Sequence, residues 1–423
     1  MAPMQSLIDH ALAETPLGRP VWIALSGGLD SCLLLTLAAR AARSYPSAIY
    51  ALHVNHGLQD AASDFEDHCR ALCSRLGVPL FVEPVHVEPA GKGVEAAARE
   101  ARYVAFARRV RPGETLWLAQ HDDDQAETLL LAALRGSGVR GLAGMPAERD
   151  WRGRRLARPL LGLTRADLER EAERLRLHWI EDPSNRDTAL DRNFLRARAI
   201  PLLAARWPDA SRALARSAQL AGEADELLDE LAALDLAAAG GAPQRIPVPS
   251  LLRLSEARQR LLVRYTCQRL GLPTPPATRL ATLLSQLEGR GDARMHVAWP
   301  GGEARCWRGA LYLQAPWTEP PVDWQAEWDG RPGLSTPLGR VACRLIHDSG
   351  TRPTLRVAMR HGGEWLRVAG RGRRDVKRLL QEAGVPPWLR SRQLLVWHDD
   401  TLIAVLGVAV AEGWTQVGPV FDD

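Results

Sequence analysis

From residue 19 to about 135 the chain alternates short apolar runs with segments of helical periodicity, and this alternation limits its fold more than any other feature. Residues 21–25, 48–54, 80–87 and 115–119 read as strands, and the segments near 31–43, 61–76 and 94–110 read as helices. Repeats of this kind predict an α/β protein built on a doubly wound parallel sheet. Ligands in such sheets bind beyond the carboxyl ends of the strands. Ser26, the stretch His53 to His56 and the stretch Gln120 to Asp124 all fall there.

The first strand runs directly into Ser26-Gly27-Gly28-Leu29-Asp30-Ser31, which opens a helix. Glycines let the backbone turn and approach an anion closely, while unpaired N–H groups and the positive dipole end of the helix face it. Ser26 and Ser31 add hydroxyl donors. Asp30 is out of place beside phosphate unless a divalent cation bridges the two or the carboxylate has a catalytic task. The hexapeptide is neither a Walker loop, which needs a lysine after its last glycine, nor a dinucleotide-binding GxGxxG. It resembles the SGGxDS pyrophosphate loop of enzymes that split ATP into AMP and pyrophosphate.

The fourth strand leads into His121-Asp122-Asp123-Asp124-Gln125-Ala126-Glu127-Thr128. A helix that starts near Asp123 or Asp124 lets Asp123, Asp124 and Glu127 converge at its beginning. Acids there complement the helix dipole, but that alone does not explain a third carboxylate next to His121 at the end of a strand in the same sheet. His53 and His56 at the end of the second strand point to different faces, which disfavours a shared metal.

A chain of 423 residues is long for one core and predicts two or three domains. No apolar stretch is long enough to span a membrane and no signal-peptide pattern opens the sequence, so a cytoplasmic location is expected. The six cysteines include no CxxC pair, and they read as core or free thiols. Net charge is +4, carried almost wholly by arginine, since Lys92 and Lys377 are the sole lysines.

Beyond the alternating region, residues 164–178 read as a charged amphipathic helix, and leucine and alanine sustain helical patterns to about 238. Another helical stretch is expected at 250–290, then a short β-rich piece at 294–314 and a proline-rich linker at 316–337. Strands are expected at 339–346 and 401–408 in a small third domain. Within it, residues 352–392 carry eleven arginines and lysines against Glu364, Asp375 and Glu382. The expected division is 1–215, a catalytic domain; 216–325, a mainly helical central domain; and 326–423, a small α+β domain.

SGGLDS, HVNHGL, EAAAREARY at 95–103, HDDDQAET and RGSGVRGL at 135–142 occur in the order found in the bacterial tRNA(Ile)-lysidine synthetase family, which this chain resembles over most of its length. RPLL at 158–161, the DPSN and RNFLR stretches, RHGGE at 360–364 and VPPWLR at 385–390 continue the resemblance. It implies a PP-loop fold of the adenine nucleotide alpha hydrolase type. It also implies a ligase that adenylates C2 of the wobble cytidine in a CAU anticodon and then joins free L-lysine to it, with Mg²⁺ assisting. Residues 26–31 would form the ATP loop, with Asp30 a metal ligand or catalytic positioning group. Asp123, Asp124 and Glu127 would handle the lysine amine. His56, Arg99, Arg102, His121, Arg192 and Arg196 are candidates for substrate or phosphate contact. Arg371, Arg373, Arg374, Lys377 and Arg378 are candidates for the tRNA backbone. Asp122 is given no role, and a homodimer is compatible with all of this.

Two other readings remain open at this stage. A tRNA 2-thiolation enzyme uses the same adenylation, though it generally brings the paired cysteines that are missing here. A noncatalytic, nucleotide-dependent tRNA-binding protein would use the same fold without the chemistry.

Overall fold

The computed structural model describes residues 4–421 apart from 17, 46, 56–61, 87–93, 289–294 and 317. The chain divides into two compact units, Met1–Glu230 and Leu231–Asp423.

The first unit begins with α1 (Met4–Ala13), β1 (Val21–Ala24), α2 (Leu29–Ala41), β2 (Ile49–Asn55), α3 (Ala62–Leu76), β3 (Leu80–Pro84), α4 (Val94–Arg109) and β4 (Thr115–Trp117). There follow α5 (Asp122–Leu134), α6 (Val139–Leu142), β5 (Glu148–Asp150), β6 (Arg155–Ala157) and α7 (Arg165–Arg174). Strand order is β3-β2-β1-β4-β6-β5, parallel except for the β5 edge. The period-two alternation of β1 explains the two layers. Val21 and Ile23 pack with Ile8, Leu33, Leu37 and Leu168 on one face, whereas Trp22 packs with Phe106, Leu116 and Trp151 on the other. Strand order reverses between β1 and β4, which is where a doubly wound sheet opens its ligand crevice.

The four sequence-expected strands and their three helices lie within a few residues of the structure. The β5–β6 hairpin was not anticipated. Its strands are three residues each, and those of β5, Glu148-Arg149-Asp150, are charged and exposed, so they make no apolar run.

After α7 come α8 (Asp191–Phe194), a π-helical turn Leu195–Ala199, α9 (Ile200–Arg206) and the long α10 (Ala210–Ala238). The second unit then forms three helices, Val248–Leu252, Glu256–Arg269 and Ala277–Glu288, against a four-stranded antiparallel sheet. Leu262, Leu280 and Leu283 meet Ile246 and Leu311 in its core. A five-stranded antiparallel sheet follows, ordered 325–328, 355–359, 394–398, 401–405 and 409–410, with helix Val376–Glu382. The stretch 316–337 is more than a linker: Gln325–Trp328 is the edge strand of that sheet, paired with Leu355–Met359, and Trp328 is buried. Prolines flank this strand without entering it, so its N–H groups remain available.

Candidate active site

β1 ends at Ala24 and the chain turns through Ser26-Gly27-Gly28 into α2. Gly27 has φ +91°, and a Cβ there would lie 3.0 Å from the Phe65 ring and 3.4 Å from Cys69 Sγ. Both the conformation and the space therefore require glycine. The serines brace the turn. Ser31 Oγ accepts from the Ser26 N–H at 3.1 Å and lies 3.0 Å from Ser26 Oγ, and Ile180 N–H donates to the Gly27 carbonyl at 3.1 Å.

A cavity of about 640 Å³ opens over this loop. Ser26, Gly28, Leu29, Asp30 and Ser31 form part of its wall, as do Arg99, Arg102, Asp124, Arg165, Arg192 and Arg196. Gln120 and His53 also line it. Of the sequence candidates, His56 lies outside the described residues. Arg99 stacks on Tyr103, with its guanidinium 5.1 Å from the ring centroid.

His121 caps α5 and is 3% exposed, so its environment is set by fixed neighbours rather than by water. Its Nδ1 accepts the Asp123 N–H at 3.3 Å, while Asp124 Oδ2 accepts the His121 N–H at 3.1 Å. In the neutral ring this leaves the proton on Nε2, 3.8 Å from Asp30 Oδ2 and 3.6 Å from Asp124 Oδ2. Burial opposes a charge on the ring, yet Asp123, Asp124 and Asp30 outweigh it and hold the pKa above the usual histidine value.

The acidic run divides its work. Asp122 Oδ1 accepts from the Gly162 N–H at 2.9 Å, fastening the turn before α7 to α5. Asp123 accepts from the Arg165 N–H at 2.7 Å and from Ser211 Oγ at 2.7 Å, tying the starts of α7 and α10 to the same helix. Burial would raise the Asp123 carboxyl, but the neighbouring His121 ring and the hydrogen bonds from the Arg165 N–H and Ser211 Oγ hold it well below the ordinary range. Asp124 and Glu127 instead meet at Arg196, whose Nη2 lies 3.0 Å from Asp124 Oδ1 and whose Nε lies 2.8 Å from Glu127 Oε1. Glu127 is fully buried and its Oε2 has no hydrogen-bond partner. Burial pushes its pKa up against the pull of Arg196.

Arg165 was not singled out by the sequence, where it is one arginine among many. Its Nη1 donates to both oxygens of Asp30, at 2.8 and 3.1 Å. Burial raises the Asp30 pKa, while His121 and Arg165 counter it. The one available signal for Arg165 was its place at the start of a helix that follows Thr164, a capping residue.

The cysteines near the loop take no part in ionic chemistry. Burial pushes the Cys32 thiol up to about 12 and Cys73 up to about 11, and raises Cys69 as well. In the second unit, Arg371 and Arg378 pair with Glu382, at 2.5 and 3.2 Å. Arg373 stacks on Trp365 at 5.0 Å. Arg374 is half-buried with no hydrogen-bond partner at Nε, and Lys377 is exposed.

A parallel sheet that reverses over an SGG loop, with a polar cavity at the reversal, defines a PP-loop nucleotide-binding protein. Accordingly, the PP-loop domain family matches residues 3–203, the TilS substrate binding domain residues 246–312 and the TilS substrate C-terminal domain residues 355–419. A tRNA(Ile)-lysidine synthase of Pseudomonas aeruginosa is 45% identical, covering 96% of this chain and 93% of the relative. Proteins of the same name from Pseudomonas putida and Alkalilimnicola ehrlichii are 45% and 42% identical, covering 92% and 98% of this chain and 92% and 96% of their own lengths. The chain belongs to the tRNA(Ile)-lysidine synthase family.

Proposed function

We propose that this chain is an ATP-dependent ligase that forms lysidine at the wobble cytidine of a tRNA(Ile) with a CAU anticodon. The observation that carries the reading is one cavity lined both by the Ser26–Ser31 loop and by Asp124 with Arg196. A phosphate cradle beside a carboxylate suits a reaction that first cleaves ATP and then admits an amine. In the first step the cytidine C2 oxygen attacks the α-phosphate and pyrophosphate leaves. In the second the lysine ε-amine attacks C2 and AMP leaves, taking the oxygen with it.

Residues 26–31 would hold the phosphates through backbone N–H groups and the two serines. Arg99, Arg102 and Arg192 supply cations around the same cavity. Asp124 and Glu127 are assigned to the lysine amine, which must lose a proton before it attacks. Glu127 does not itself line the cavity; it is joined to it through Arg196, which does, and its Oε2 has no hydrogen-bond partner. Asp123 is assigned to positioning, because its two oxygens tie the starts of α7 and α10 to α5 and, unlike Asp124, it does not line the cavity.

Magnesium ions bound with nucleotides usually take one or two carboxylates and otherwise phosphate and water oxygens. Among the described residues no three His, Cys, Asp or Glu side chains form a metal cage. Asp30 and Asp124, which both approach His121 Nε2, would meet the smaller requirement by exchanging their contacts with Arg165 and Arg196 for the ion. They would hold Mg²⁺, and the ion would offset the negative charge that develops on pyrophosphate. The basic groups of the last hundred residues, Arg373, Arg374 and Lys377 foremost, are assigned to the tRNA backbone.

Incubating the protein with ATP, labelled lysine and isoleucine tRNA bearing CAU should place label in the tRNA. No label in tRNA, with ATP bound, would overturn the proposal.

A further inference from the structure

The second unit carries a separate recess of about 290 Å³ on one face of its five-stranded sheet. Trp397 and Arg356 are cross-strand partners there, and the guanidinium lies 5.2 Å from the indole centroid. Ala358 stands two residues beyond Arg356 on the same face, and its small side chain leaves the gap that larger residues surround. Trp324 closes one side, and the turn at His361-Gly362-Gly363 forms the rim. Glu364 fixes that turn, with Oε1 accepting from the N–H groups of His361, at 2.7 Å, and Gly362.

The next residue, Trp365, opens the hairpin Trp365–Val368 and Gly372–Asp375, which presents exposed Arg367 and Arg373. A recess flanked by Trp324 and Trp397 is thus continuous along the chain with cations suited to phosphate.

We propose that the recess takes one unpaired base of the RNA substrate, stacked on the Arg356 guanidinium that covers the Trp397 indole, while the adjoining hairpin meets neighbouring phosphates. The inference rests on the reading that the substrate is a tRNA. A paired base keeps its faces covered by its stacked neighbours, whereas a single-stranded one can present its face to a guanidinium or an aromatic ring. Stacking of this kind is tolerant of base identity and does not release counterions, so it differs from phosphate binding in its response to salt.

The test uses the full chain with Trp397→Leu and Trp397→Phe, binding a labelled transcript of the tRNA across a salt series. Trp397→Leu keeps an apolar side chain but no ring behind the guanidinium, and is expected to weaken binding about fivefold or more, the lower end for loss of one stacked base. Trp397→Phe is expected to restore binding to within about twofold, and the slope of log affinity against log salt is expected to stay unchanged in both. Equal binding by Trp397→Leu and the parent protein would overturn the proposal. So would equal loss in both variants, which would show packing, or a changed salt slope, which would show charge. Lysine incorporation by the parent protein reports separately on the ligase reading, so failure there leaves the binding result to stand by itself.

Discussion

Arg165 donates to both carboxylate oxygens of Asp30, at 2.8 and 3.1 Å, joining the first turn of α7 to the phosphate loop. Glu169 holds the same guanidinium through Nε at 2.8 Å, so the arginine reaches Asp30 already oriented.

Arg165→Gln is expected to lower kcat/KM for ATP about tenfold to a hundredfold, a loss of about 1.4–2.8 kcal/mol for an oriented charge beside the phosphates. Arg165→Lys should recover part of this, because one ammonium replaces the charge but not the fork. Steady-state kinetics at saturating tRNA measure both, and full activity in Arg165→Gln would remove the pair from any role.

Gly27→Ala should abolish ATP binding. The left-handed φ of +91° strains any residue with a Cβ, and that atom would press on the Phe65 ring at 3.0 Å. A cost of about 1–3 kcal/mol is expected for the backbone alone. Calorimetric titration with ATP, beside thermal unfolding of the free protein, separates the lost site from a lost fold.

Glu127→Gln should separate the two chemical steps. The variant keeps the shape of the site and a carbonyl for Arg196, but it cannot take a proton from an amine. Adenylated tRNA is expected to accumulate, with label from α-labelled ATP entering RNA and label from lysine staying out. Normal lysine transfer by this variant would assign the proton to another group.

Asp123 links its side chain to stability through pH. Its pKa is depressed in the folded chain, so its contribution is fully present above the unfolded aspartate value of about 3.9 and is lost as pH falls through the folded value. Asp123→Asn should cost about 1–3 kcal/mol at neutral pH. Its stability should also fall less steeply than that of the parent protein below about pH 4. Urea unfolding at several pH values checks both, and parallel pH curves would contradict the linkage.

Basic residues of the last hundred positions should differ in their salt signature. Arg373→Gln or Lys377→Gln is expected to reduce the salt slope of tRNA binding by up to about one each. Arg371 and Arg378 already face Glu382, so their removal should change the slope less. Equal effects from all four would show that Glu382 does not restrain its partners.

The sequence carried the sheet because its strands are buried on both faces, and burial on both faces leaves unbroken apolar runs such as Val21 to Leu25. It carried the phosphate loop because Gly27 is required by both conformation and space. It did not carry the sorting of the acids. Periodicity places Asp123 and Glu127 on one helix face, yet Asp123 turns to the starts of α7 and α10 while Asp124 and Glu127 share Arg196. That outcome depends on helices that enter the chain 40 to 90 residues later, as Arg165 and Ser211 do. Asp122 illustrates the same limit: its bond to Gly162 spans 40 positions and has no local signature.

The bond from Ile180 to Gly27, those from Arg165 to Asp30 and from Arg196 to Asp124, and that from Ser211 to Asp123 set an order of events during synthesis. A ribosome that has released only the first half of the first unit has made the phosphate loop and its internal serine braces but none of these longer-range bonds. The nascent chain therefore holds an incomplete nucleotide site until α10 begins to emerge, and a truncated product lacking that helix would be poorly equipped to spend ATP without its tRNA.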